Sequence, residues 1–146
     1  MRKLVTVFTL ALLALTLVGW GGAVSAQDQQ PEQLATPISV DIDGVTVLRL
    51  QFGYGPYGPY ERLNQVEQRV TQIIDAYMAE GKVKDLAGDV RVDTVNGQTV
   101  IMVGSYLLVT VDPAHAKANR TTVEALAAEW ANNAVEGFQR FAQENS

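Results

Sequence analysis

"VRVDTVNGQTVIMVGSYLLVTV", Val90 to Val111, decides the fold. Val90 to Val95 has the β-branched content of a short strand, and Asn96-Gly97 is a favoured pair for a two-residue type I′ hairpin turn. Thr99 to Val103 returns. Gly104-Ser105 then suits a type II′ turn with glycine first, and Tyr106 to Val111 makes a third strand. Without that second turn, Thr99 to Val111 would be a strand of unusual length. The stretch is therefore an antiparallel meander, closed by Asp112-Pro113.

Upstream, "PISVDIDGVTVLRLQF" (Pro37 to Phe52) repeats the logic. Ile38, Val40 and Ile42 share one face, Asp43-Gly44 supplies the turn, and Leu48, Leu50 and Phe52 line one face of the return strand. Val45 and Val47 fall on the opposite parity, which predicts a bulge or a doubly buried start. Two helices complete the set. Tyr60, Leu63, Val66, Val70, Ile73, Ile74, Tyr77 and Met78 recur at helical steps, with Arg62, Gln65 and Arg69 among the residues of the solvated face. Pro59 suits the first helical position, Glu61 the first turn, and Gly81 the left-handed cap. The last helix opens on Thr121 with Glu124 three residues on, and buries Val123, Leu126, Ala127, Trp130, Ala134, Phe138 and Phe141. The order β-β-α-β-β-β-α, with one apolar face per helix, predicts an α+β two-layer sandwich. An antiparallel sheet of about five strands carries both helices on one face.

The 146 residues hold one such domain, 37–146. Ahead of it, Met1-Arg2-Lys3 is basic and Leu4 to Ala26 carries no charge, ending in the small residues Val24-Ser25-Ala26. That layout is a signal peptide over 1–26, cleaved after Ala26. The alternative is an uncleaved inner-membrane anchor over 4–26, because about 20 apolar residues span a bilayer. Gln27 to Thr36 is polar, contains Pro31 and is a flexible linker. The expected location is periplasmic or extracellular.

Losing Arg2 and Lys3 from the 11 basic residues leaves 9 against 16 acidic ones, a net charge of −7. Such a chain has no footprint for nucleic acid. With no cysteine, it must be held by its core alone.

Catalytic chemistry is poorly supplied, and no catalytic residue is assigned. His115, the one histidine, lies in "DPAHAKANR" and is read as a solvated loop residue. Neither Ser39 nor Ser105 stands in a Gly-x-Ser-x-Gly turn. Asp41 and Asp43 resemble the start of a calcium loop, but Val45, Val47 and Leu48 occupy the positions of the later oxygen donors, so no metal site and no cofactor are assigned. The feature that invites contacts is "GYGPYGPY", Gly53 to Tyr60. Its glycines allow positive φ and its prolines cut loop entropy, as a strand-to-helix connector requires. Tyr60 belongs to the helix stripe. Tyr54 and Tyr57 are free for a ligand or partner, since tyrosine offers contact area with few rotatable bonds.

Several short motifs also resemble a known module. They are Asp43-Gly44-Val45-Thr46-Val47-Leu48, Glu61-Arg62-Leu63, Gly104 with Leu107-Leu108-Val109-Thr110-Val111-Asp112, and "TTVEALAAEW" from Thr121 to Trp130. Together they resemble the extracytoplasmic N-terminal module that precedes the membrane segments in many cyanobacterial proteins of the small-conductance mechanosensitive ion channel family. The likeness runs over nearly all of Pro37 to Phe141. It implies a sensory, scaffold or protein-binding role and carries over no catalytic residue. Leu4 to Ala26 is the one membrane-length run, and a pore needs several spans or a barrel, so a free-standing counterpart of the module is expected rather than a channel. The function expected is a non-enzymatic envelope interaction or accessory domain, with an envelope membrane protein as partner and no membrane insertion after signal cleavage. The alternatives are a small-ligand or ion binder using loop 53–60, and an uncharacterised hydrolase.

Overall fold

Asp43 and Gly44 adopt φ of 47° and 74°, the pair of positive values that a type I′ turn needs. They join β1 (Gln33–Ile42) to β2 (Val45–Phe52). The computed structural model describes residues 32–146. The expected signal segment 1–26 and the first part of the expected linker lie outside the described residues. The rest of that linker is part of β1, which starts at Gln33 and not near Pro37. Gln33 pairs with Phe52 and the Gln51 side chain donates to the Leu34 carbonyl at 3.1 Å. Backbone pairing along an edge asks nothing of the side chains, so the polar composition hid this extension. The register slips between Gln33 and Ile38, around Pro37, which has no N–H for the ladder. A second slip between Val40 and Asp41 is the bulge that the parity of Val45 and Val47 predicts.

After α1 (Pro59–Ala79) and a 3-10 turn at Val83–Asp85 come β3 (Val90–Val95), β4 (Gln98–Val103) and β5 (Tyr106–Thr110). Asn96 and Gly97 again take positive φ, and Gly104 alone does so in the second turn. Two further helices follow, α2 (Pro113–Ala118) and α3 (Val123–Glu144). The fold is a two-layer α+β sandwich, as expected, but its five antiparallel strands pair as two sheets, β1-β2 and β3-β4-β5. One core spans both. Val40, Leu48 and Leu50 from the first sheet join Ile101, Val103 and Leu108 from the second, under Ile73 of α1 and Trp130 and Phe138 of α3. α3 packs on β1, β2, β3 and β4, while α1 packs on β1, β2 and β5.

Four local expectations are corrected. The α3 cap is Thr122, whose hydroxyl accepts from Ala125 N–H at 3.2 Å, one residue after Thr121. The segment after β5 is helical: Asp112 caps α2 by accepting from His115 N–H, with Pro113 at the first position. Tyr60 and Met78 are 61% and 50% exposed, outside the core. In their place α1 buries Arg62, which recurs with Val66, Ile73 and Tyr77 at steps of four and seven.

Gly137 marks where α3 presses on the end of β1. A Cβ there would lie 2.9 Å from Ile42 Cβ and 3.0 Å from the Ile42 carbonyl oxygen. Helix propensity favours alanine over glycine by about 1 kcal/mol. Overpacking against immovable backbone costs about 1–3 kcal/mol. The clash therefore wins, and Gly137→Ala is expected to lose roughly 1 kcal/mol in urea unfolding. A stabilised variant would mean that α3 does not bear on β1.

Candidate functional site

The strand-to-helix connector is a small closed loop. Tyr54 N–H donates to the Tyr57 carbonyl at 2.9 Å and Tyr57 N–H returns the bond to Tyr54 at 3.2 Å. Gly55, at φ 59°, turns the corner with Pro56. Gly53 is required by proximity, because a Cβ on it would meet the Tyr57 carbonyl oxygen at 2.4 Å. Pro59 then starts α1, where the Glu61 carboxylate accepts from Gly58 N–H at 2.9 Å. The result is a rigid presentation of Tyr57, which is 46% exposed, beside the exposed Tyr60.

Under this loop α1 turns Arg62 inward. Its Nη1 donates to Asp112 Oδ2 at 2.7 Å and to the Phe52 carbonyl at 3.3 Å, and its Nη2 donates to the Thr110 carbonyl at 2.7 Å. Phe52 ends β2 and Thr110 ends β5. The guanidinium thus closes the seam where the two sheets share no ladder, and its Cζ stands 5.3 Å from the Tyr54 ring centre, a cation–π distance.

His115 completes the network and corrects the expectation of a solvated loop histidine, being 1% exposed. Nε2 accepts from Gln51 N–H at 3.0 Å. The ring proton is therefore on Nδ1, which donates to Asp112 Oδ2 at 2.8 Å. Arg62 Nη1 and His115 Nδ1 sit 3.2 Å apart as two donors converging on one oxygen. Edge contacts with Phe52 at 5.0 Å and Trp130 at 5.7 Å enclose the ring. Among the described residues no buried side-chain polar atom lacks a partner.

Burial pushes the Asp112 carboxyl up. The hydrogen bond and field of the His115 ring, the Arg62 guanidinium and the His115 backbone N–H together outweigh it and hold Asp112 down at about 2. An unfolded aspartate titrates near 3.9. The group therefore contributes stability above about pH 4 that is lost as pH falls through about 2, roughly 2–3 kcal/mol in all. Urea midpoints measured from pH 6 to pH 2 are expected to fall more steeply below pH 4 for the native chain than for Asp112→Asn. Parallel curves would assign the acid sensitivity to other carboxylates.

A cleft of about 160 Å³ opens between the loop, α1 and β5, lined by Tyr54, Tyr57, Arg62, Gln65, Val66, Arg69, Val109 and Thr110. It unites both tyrosines singled out in the sequence with two arginines that the apolar periodicity assigned to solvent. The signal for them was present: Arg62, Val66 and Arg69 recur at four- and three-residue steps, a helix face of its own. Likewise Asp112 and His115 stand one helical turn apart with Pro113 between them, the layout of a capped short helix. The other candidates scatter. Ser39 pairs with Arg49 inside the first sheet, Ser105 sits in the exposed β4–β5 turn, and Asp43 occupies the β1–β2 turn. Among the described residues no three His, Asp or Glu side chains gather as a metal site. Nor, among them, is any helix long and apolar enough to cross a membrane.

Residues 37–141 match the family described as Domain of unknown function (DUF8459). The chain belongs to this family. The DUF8459 match starts at Pro37 inside β1 and ends at Phe141 inside α3, so it takes in the tyrosine loop, the cleft and the whole Arg62–Asp112–His115 network. No curated protein and no solved structure matches the chain.

Proposed function

We propose that this DUF8459 domain is a non-enzymatic recognition module of the cell envelope, exported through its N-terminal segment, that holds a protein partner by the tyrosine loop and the cleft beneath it. The observation that carries the reading is the reciprocal Tyr54–Tyr57 hydrogen bonding. It fixes the loop while leaving Tyr57 and Tyr60 exposed beside a cleft that contains arginine. A pre-organised aromatic patch next to a cation has the composition of an interface hot spot and loses little entropy on binding.

The buried network supports the same reading. A Ser-His-Asp arrangement needs a free Nε2 to take the nucleophile's proton. His115 Nε2 already accepts from backbone N–H groups, and its ring is enclosed. The network therefore braces the seam behind the cleft and has no route to a substrate. The resemblance to the mechanosensitive-channel module suggests an envelope membrane protein as the partner.

The test is crosslinking of the tagged, exported chain in its own cell envelope. A partner captured by the native chain and lost with Tyr57→Ala plus Tyr60→Ala is the expected result. Capture of nothing, or of the same partner by both chains, would defeat the reading.

A further inference from the structure

Arg62 and Arg69 share the cleft but differ in one respect. Arg62 is neutralised by Asp112 at 2.7 Å. Arg69 is half-buried, its one hydrogen bond is a long 3.5 Å contact to the Leu108 carbonyl, and no carboxylate lies within 4 Å of it among the described residues. A guanidinium cannot shed its proton to escape this position. Burial and the neighbouring Arg62 charge both disfavour its charged form. The cleft thus holds one unbalanced, partly desolvated positive charge inside a chain of net charge −5.

We propose that this cleft receives a single carboxylate, the Asp or Glu side chain of a protein partner, with Arg69 as its counter-charge and Tyr54 and Tyr57 as its rim. The inference rests on the reading of the loop as a contact surface and names the group that the surface takes. Three observations select it. One unpaired cation balances one negative charge, which suits a carboxylate better than a phosphate carrying nearly two. The acidic chain repels polyanions. The volume, about 160 Å³, has room for a carboxyethyl group but lies below the ~300 Å³ at which small-molecule sites begin.

The experiment is an NMR titration of the isotopically labelled exported chain with N-acetyl-glutamate methylamide. The matching glutamine compound and inorganic phosphate serve as parallel arms. Saturable shifts at Tyr54, Tyr57, Arg69 and Thr110 with the glutamate probe, absent with the glutamine probe, are expected. Arg69→Gln is expected to weaken binding at least about tenfold and Arg69→Lys to restore part of it, with far-ultraviolet circular dichroism of both variants unchanged. No shift with the glutamate probe, unchanged affinity in Arg69→Gln, or tighter binding of phosphate would each overturn the proposal. The envelope crosslink separates this failure from that of the broader reading. A partner held equally by the native chain and Arg69→Gln removes the carboxylate site but leaves the recognition role. With no partner captured at all, the recognition role falls and the glutamate titration alone decides the site.

Discussion

Asp112→Ala is expected to destabilise the domain by about 3–5 kcal/mol, because it strands the Arg62 guanidinium, 4% exposed, without its counter-charge. The same change removes the acceptor of the His115 Nδ1 proton and the cap of α2, and the seam between β2 and β5 then has no closed network behind it. With a urea slope of about 2 kcal/mol per molar for a domain of this size, the midpoint is expected to fall by about 2 M. Asp112→Asn keeps one of the two acceptor oxygens, enough for either the α2 cap or the histidine, while its NH2 replaces the other and faces a donor. Its loss is therefore expected to be smaller than that of alanine but not negligible. Adding Arg62→Met to Asp112→Asn is expected to recover part of that loss, since an apolar replacement for both members of a buried pair is often tolerated. If Asp112→Ala costs no more than alanine at the exposed Asp75, the network does not hold the seam.

The second large loss is expected at Phe138→Ala, about 3–5 kcal/mol for deleting a fully buried ring and leaving a cavity. Phe138 is on α3, which packs on strands of both sheets, so the loss is expected to lower one cooperative transition rather than split it. At several degrees per kcal/mol for a domain of this length, the thermal midpoint should drop by on the order of 15 °C. Phe141→Ala, at a partly exposed position on the same helix, serves as the comparison and should cost clearly less. Two separate transitions in Phe138→Ala would show that the sheets do not share one core.

Much of this architecture was legible because the forces behind it are local. Asp43-Gly44 and Asn96-Gly97 state two of the three hairpins by their tolerance of positive φ, Gly104 states the third, and Pro59 with Glu61 states the start of α1. The α3 stripe, from Leu126 through Trp130 to Phe138, follows from apolar periodicity alone. Periodicity failed where polar residues are buried. Arg62 carries a surface pattern because an arginine is buried only if a partner meets it, and Asp112 lies 50 residues away. Tyr60 carries a core pattern because its spacing to Leu63 is helical. Yet in α1 it lies two residues before Arg62, about 200° around the helix axis, and so faces water.

The sequence by itself determined the α+β class, the order of its five strands and two long helices, the three hairpin turns and the loop that holds Tyr54 and Tyr57, since each depends on neighbours a few residues apart. Tertiary structure alone decided that the five strands split into two sheets, that Arg62, Asp112 and His115 meet behind the seam, and that no counter-ion among the described residues reaches Arg69 beside Tyr57. Pairing between sheets and neutralisation of charge depend on distances in space between residues far apart in the chain. No local pattern encodes those distances.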